Sequence, residues 1–195
     1  DFGIVFMKRY PAYKKSGVDW IGEVPSHWTI SRIKNAIAYS INGIWGNDPN
    51  EDGADILCIR VADFEMKRLG VSQNNLTYRC ITLRDNDPRI LKEGDLLIEK
   101  SGGGEKQPVG RVISYDLNKN AVSSNFIAKI SPNKDVVVSR FLLYSFSTIY
   151  SFGINFLSIK QTTGIQNLDT THYFNNQFCF PPLSEQVQIT NFLDH

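Results

Sequence analysis

The sequence has no apolar run close to the ~18 residues that mark a membrane-spanning helix, and its first residues carry no secretory signal pattern. Its cysteines, Cys58, Cys80 and Cys179, are odd in number and far apart, which argues against a disulfide framework. The histidines, His27, His172 and His195, stand at no zinc spacing from those thiols, so buried thiols and ordinary polar histidines are expected. An excess of either charge is also missing. The chain of 195 residues holds 21 Lys and Arg against 20 Asp and Glu, a formal net charge of +1. The expectation is a cytoplasmic globular protein that needs no membrane.

The distribution of charge says more than its sum. Residues 161–195 contain no Lys or Arg and three acids, whereas residues 112–160 hold five basic residues against two acidic ones. A nucleic-acid surface could be built from such a basic minority, although charge alone does not require one.

Motifs for catalysis are largely missing too. The stretch KSGGGEKQPVGR (100–111) has three consecutive glycines, Gly102, Gly103 and Gly104, but no Gly-Lys follows at the spacing of an ATP-binding loop. A dinucleotide fingerprint would need glycine at 107, which is Gln107, and Pro108 makes an immediate helix N-terminus unfavourable. The nearest string to an amino-methyltransferase motif, Phe180-Pro181-Pro182-Leu183, is flanked by apolar side chains that cannot hold an amine. A magnesium-dependent nuclease can be drawn from Asp55, Glu65 and Lys67, a permissive pattern that a solvated strand end also explains. No Ser/His/Asp or Cys/His arrangement has a local signature.

Along the chain, residues 1–6 precede Met7, from which the sequence runs like a natural start, and they are set aside as a leader or cloning-derived segment. Ile30, Ile33 and Ile37 fit a short amphipathic helix through Ile41. The stretches 56–64, 95–99, 110–116 and 124–131 read as strands separated by Gly, Asn, Asp and Pro clusters. RFLLYSFSTIYSF (140–152) reads as a helix with a broad apolar face, followed by a polar loop, KQTTGIQNLDTTH (160–172). A short strand, NQFCFPP, leads to a last helix from Leu183, with Leu183, Val187, Ile189, Phe192 and Leu193 as its apolar stripe.

Two stretches are rich in groups that suit base edges and phosphates. Lys100, Ser101, Lys106, Gln107 and Arg111 surround Gly102–Gly104, and Lys160, Gln161, Thr162, Thr163, Gln166 and Asn167 surround Gly164. On composition alone, solvated turns are the slightly better explanation.

The order of motifs adds context. YPAYKKSGVDWIGEVPSHW, CIRVADF, GDLLIEKSGGGEKQPVGR, QTTGIQNLD and FPPLSEQVQITNFL together resemble the specificity subunit of type I restriction-modification enzymes, from about Met7 to the end of the chain. The resemblance implies an α+β fold, a twisted, mostly antiparallel β-sheet with flanking helices. It implies a target-recognition domain over residues 7–180 and the start of a conserved spacer helix over 181–195. Such a subunit is non-catalytic and reads half of a split site in double-stranded DNA with each recognition domain. S-adenosylmethionine, ATP and magnesium then belong to partners: modification subunits that methylate adenine and a restriction subunit that cleaves.

Carried onto this sequence, the DNA-facing candidates are the loops 100–111 and 160–167, with Trp45, Gly46 and Asn47 and the strand end Arg60–Asp63 as a third group. Leu183, Ile189 and Leu193 are expected to pack on another spacer helix, with Glu185 and Gln186 near its start or at the modification subunit. Self-association through the terminal helix is a further expectation. The rival reading from another class is an assembly scaffold docking through that helix, its loops inert.

Overall fold

The computed structural model describes residues 9–50, 55–161 and 164–195. The segment 1–6 and the candidates Thr162 and Thr163 lie outside the described residues. Strands β1 (Tyr13–Lys15) and β2 (Glu23–Pro25) pair antiparallel; β3 (Thr29–Arg32), a 3-10 turn at Ile33–Ala36 and β4 (Ile37–Asn42) follow. Next come β5 (Asp55–Ile59), β6 (Phe64–Glu65), β7 (Gly70–Val71), β8 (Tyr78–Cys80), β9 (Leu96–Glu99), β10 (Val112–Ser114), β11 (Ala121–Ser123) and β12 (Ile127–Pro132). The chain then forms α1 (Ser139–Ser151), β13 (Ile159–Gln161), β14 (Gln166–Leu168), α2 (Thr170–Phe174), β15 (Gln177–Phe180) and α3 (Leu183–Leu193).

The central sheet has the order β10-β9-β12-β4 and is antiparallel throughout. Alternation along its strands feeds two cores. Leu96, Ile98, Val112, Ala128 and Ile130 meet Leu142, Phe146 and Ile149 of α1, while Leu97, Ile113 and Ile127 meet Leu57, Ile59 and Val71 on the other face. Cover on both faces is why Leu96, Leu97 and Ile98 are consecutive apolar residues rather than an alternating pattern. Each fully buried aliphatic side chain there contributes about 1.5–3 kcal/mol. A second sheet, β11-β5-β8, contains the one parallel pair among the described strands, β11 with β5. The fold is α+β and mostly antiparallel, as expected.

Two polar groups are buried in this apolar setting. Lys129 on β12 is 1% exposed; its Nζ lies 2.9 Å from Asp95 Oδ2 and donates to Ile90 O at 2.6 Å. Ser131 Oγ donates to the other Asp95 oxygen at 2.6 Å, so the carboxylate is fully occupied.

Three expected elements are corrected. No helix spans residues 30–41: Ile30 pairs with Cys179 of β15, Ile33 and Ala36 are buried in the 3-10 turn, and Ile37–Asn42 runs beside β12. The isoleucine spacing fits a helical face, but β-branched side chains and two long-range strand partners favour extended backbone. The strand expected over 56–64 stops at Ile59, because Asp63 Oδ2 accepts from Arg60 N at 2.8 Å and closes a turn. The polar loop 160–172 is instead the β13–β14 hairpin followed by α2, whose start is capped by Asp169 accepting from His172 N at 3.0 Å.

The helix expected from residue 140 is α1, which ends where Gly153 adopts φ +69° and the chain turns into a 3-10 segment, Ile154–Ser158. The last helix also forms. Its inner face carries the buried Gln186 and Thr190 with Ile189 against the main core, and Arg140 pairs with Asp194 at 2.7 Å to hold its end on α1. Leu183, Val187, Phe192 and Leu193 remain exposed.

Candidate nucleic-acid interface

The glycine loop is the connection of an antiparallel hairpin. The β9–β10 ladder continues past Glu99, whose N–H donates to Arg111 O at 2.9 Å while its carbonyl accepts from Gly110 N at 2.9 Å. At the tip, Gly104 and Gln107 exchange reciprocal backbone bonds of 3.0 and 3.1 Å, leaving Glu105 and Lys106 at the apex and exposed. Glycine is required at Gly103, where an added Cβ would stand 2.7 Å from both Gln107 O and Val109 N. At Gly104 the same atom would meet nothing within 4 Å.

The second candidate loop lies against the first. Ser101 forms an isolated bridge with Asn167, and its Oγ donates to Asn167 Oδ1 at 2.7 Å. Gly102 N donates to Gln166 O at 3.1 Å and Leu168 N to Lys100 O at 2.8 Å. On the other side, Val61, Ala62 and Phe64 line an open cleft of about 460 Å³ with Glu99, Gly102–Gly104, Gln107 and Arg111. Three of the four predicted segments therefore meet: the loop 100–111, the hairpin 159–168 and the turn after β5.

Charge on this surface is only partly free. Arg111 Nε donates to Glu99 Oε2 at 2.7 Å, with Gln107 beside the same guanidinium, and Glu99 is 2% exposed. Lys160 pairs with Asp169 at 2.7 Å, and this together with the His172 N–H holds that carboxyl below the usual carboxylate range. Among the described residues, Lys100 and Lys106 have no acidic partner within 4.0 Å. Lys106, Gln107, Lys160, Gln161, Gly164 and Asn167 are exposed.

Two predicted DNA-facing side chains are instead buried. Gln166 is 5% exposed; its Oε1 accepts from Val109 N at 3.2 Å and its Nε2 donates to Gln161 Oε1 at 3.5 Å, so its oxygen is committed to the backbone of the glycine loop. Asp63 is 2% exposed and receives Arg60 Nη2 at 2.8 Å in addition to Arg60 N, so both residues serve the turn. Alternation in β14 is the reason for the first: Asn167 faces out between the inward Gln166 and Leu168.

Trp45, Gly46 and Asn47 lie elsewhere, against β8. Asn47 bridges to Cys80, and Arg79 stacks over the Trp45 ring at 4.5 Å while donating to Trp45 O at 3.2 Å and Gly46 O at 3.3 Å. Gly46 has φ +69° and its missing Cβ leaves room for Ile81. Sequence reading passed over Arg79, since nothing local marks a β-strand arginine as the brace of a loop 34 residues earlier. Phe126 was also missed. It is exposed, and its carbonyl accepts from both Lys100 N at 2.9 Å and Ser101 N at 3.2 Å.

The α3 residues expected to pack on a partner divide into two groups. Glu185 is gripped by Tyr10, His27 and Trp28, and Gln186 is fully buried, with its Oε1 accepting from Val138 N at 2.8 Å. Gln186 and Ile189 hold α3 to its own domain, while Leu183 and Leu193 stay exposed. The nuclease trio does not assemble: Asp55 lines a cleft with Ile81 and Arg84, Glu65 pairs with Arg68 on the β6–β7 hairpin, and no three His, Cys, Asp or Glu side chains among the described residues converge as metal ligands.

Comparison with known proteins agrees with this fold. Similar solved structures include the HsdS subunit from Thermoanaerobacter tengcongensis, with a TM-score of 0.57 and 19% identity over 93% of this chain and 39% of that one. A chain from a structure on complex assembly and conformational transition of the type I R-M system gives 0.59 and 20% over 88% of this chain and 38% of that one. The type I restriction-modification S subunit from M. genitalium gives 0.53 and 12%, over 86% and 38%. The present chain thus spans about two fifths of the length of these neighbours. No curated protein matches the chain. Residues 61–195, more than half of the sequence, match the family described as the type I restriction modification DNA specificity domain, and the chain belongs to that family.

Proposed function

We propose that this chain is a target-recognition domain that reads one half of a bipartite duplex site and directs adenine methylation and cleavage by partner subunits. The observation that carries this reading is the meeting of the glycine hairpin, the β13–β14 hairpin and the turn at Val61–Asp63 on one surface. That surface offers two kinds of group. Lys100 and Lys106 suit phosphates and contribute affinity that falls with salt, whereas Gln107, Gln161 and Asn167 suit base edges. The domain itself is non-catalytic in this reading, works in the cytoplasm, and leaves S-adenosylmethionine, ATP and magnesium to the modification and restriction subunits.

Methylation-site sequencing of DNA from cells carrying the intact system identifies the target. Titration of the specificity subunit, assembled with its modification partners, against target and scrambled duplexes then tests the reading. Preference for the target is expected; equal affinity for both would sink it. The exposed face of α3, with Leu183, Val187, Phe192 and Leu193, favours a second reading as an assembly module. Failure of the assembled complex to bind any duplex at low salt would favour that one.

A further inference from the structure

The dipeptide Pro108-Val109 offers three main-chain polar groups, since proline has no N–H. Each is taken by a side chain from a different element. Tyr150, at the end of α1, donates its hydroxyl to Pro108 O at 2.9 Å. Asn155, in the 3-10 segment after α1, donates Nδ2 to Val109 O at 2.8 Å. Gln166 of β14 accepts from Val109 N at 3.2 Å. Val109 and Asn155 have no exposed surface, so water cannot substitute for these partners.

The arrangement leaves little freedom at the base of the loop. Gly110, at φ +111°, lies directly on Asn155, where an added Cβ would be 3.2 Å from the Asn155 Cβ. A tyrosine phenol is an O–H donor at neutral pH in any case, and burial pushes that of Tyr150 further above its ordinary range. The other limb of the loop is held at Gly102, whose N–H donates to Gln166 O at 3.1 Å; beyond these two anchors the tip is closed by its own Gly104–Gln107 pair, and its direction is inherited from residues 100–102 and 108–110 together.

We propose that Tyr150, Asn155 and Gln166 are positioning residues that grip the backbone of Pro108 and Val109 and thereby aim the glycine hairpin at DNA without touching it. The inference rests on the DNA-recognition reading above. Because the grip addresses only main-chain atoms, the side chains at the tip can differ without disturbing it. Specificity then depends on a loop whose geometry is set from behind.

The test uses the specificity subunit assembled with its modification partners, in the variants Tyr150→Phe, Gln166→Met and Gln166→Glu. Phenylalanine removes one hydroxyl, methionine removes the acceptor for Val109 N, and glutamate keeps it. Hydrogen exchange of the peptide spanning Val109 and Gly110 is measured beside binding to target and scrambled duplexes over a salt series. Tyr150→Phe and Gln166→Met are expected to speed exchange there and to lower preference for the target by roughly three- to tenfold, the effect of one hydrogen bond. The salt slope should not change, because no cation is removed, and Gln166→Glu should lie closer to the parent.

Unchanged exchange in both variants would overturn the grip. Faster exchange with undiminished target preference would overturn its role in recognition. If the parent complex prefers no duplex, the DNA reading fails, and with it the positioning role, even where exchange still reports the grip.

Discussion

Trp28 donates its indole Nε1–H to Glu185 Oε1 at 3.0 Å, joining residues 157 positions apart. Tyr10 donates to the same oxygen, and His27 Nε2 lies 2.8 Å from the other. The opening block of the sequence and the PPLSEQ segment, two motifs distant along the chain, thus form a single knot around one carboxylate. It ties the first turn of α3 to the N-terminal strands.

Glu185→Ala should cost about 1.5–3 kcal/mol in urea denaturation, the range for hydrogen bonds to a charged group. Burial pushes this carboxyl up, yet the bonds from Tyr10, His27 and Trp28 outweigh it and hold the group below its ordinary range. A depressed folded-state pKa means stabilisation that is present above the unfolded value, ~4.3, and lost as pH falls through the folded one. The urea midpoint of the parent should therefore drop more than that of Glu185→Gln below pH ~4. Parallel curves would show that the carboxylate charge is not what holds the knot.

Lys129→Met should destabilise by about 3–5 kcal/mol, because Asp95 is then left charged and buried without its counter-ion. Asp95→Asn combined with Lys129→Met should lose less than the sum of the single changes, since the two side chains form one unit. Additive losses in denaturant melts would contradict the pairing.

Gly103→Ala and Gly104→Ala separate packing from permissiveness within one loop. The first forces a methyl group against Gln107 O and Val109 N and should destabilise the hairpin by about 1–3 kcal/mol. The second enters open space and should stay within about 0.5 kcal/mol. Hydrogen exchange across residues 100–111 reads both.

Lys106→Ala should weaken target and scrambled duplexes alike and reduce the salt slope by about one unit, as expected for loss of one phosphate contact. Gln161→Ala should instead lower discrimination at one base pair by about 1–3 kcal/mol. A selective loss in the lysine variant, with none in the glutamine variant, would reverse these roles.

Much of this architecture was legible in the chain. DLLIE and the helix from residue 140 announce themselves because their apolar runs have the length and period of one element. The hairpin nature of KSGGGEKQPVGR follows from glycines and a proline between two strands. Ile30, Ile33 and Ile37 misled because helical spacing is local, whereas the strand partners of Ile30 and Ile37, β15 and β12, lie about 90 to 150 positions away and supply the hydrogen bonds of an extended backbone.

The sequence by itself determined the family resemblance with the α+β class it implies, five of the fifteen strands among the described residues and both longer helices, all of which rest on short-range periodicity and motif order. Only the tertiary structure decided which polar side chains face outward. Gln161 and Gln166 are alike in chemistry and five residues apart, yet one is exposed and the other holds Val109 from within. That difference arises from register and from what covers each face. Both depend on contacts between distant segments, and local composition does not encode them.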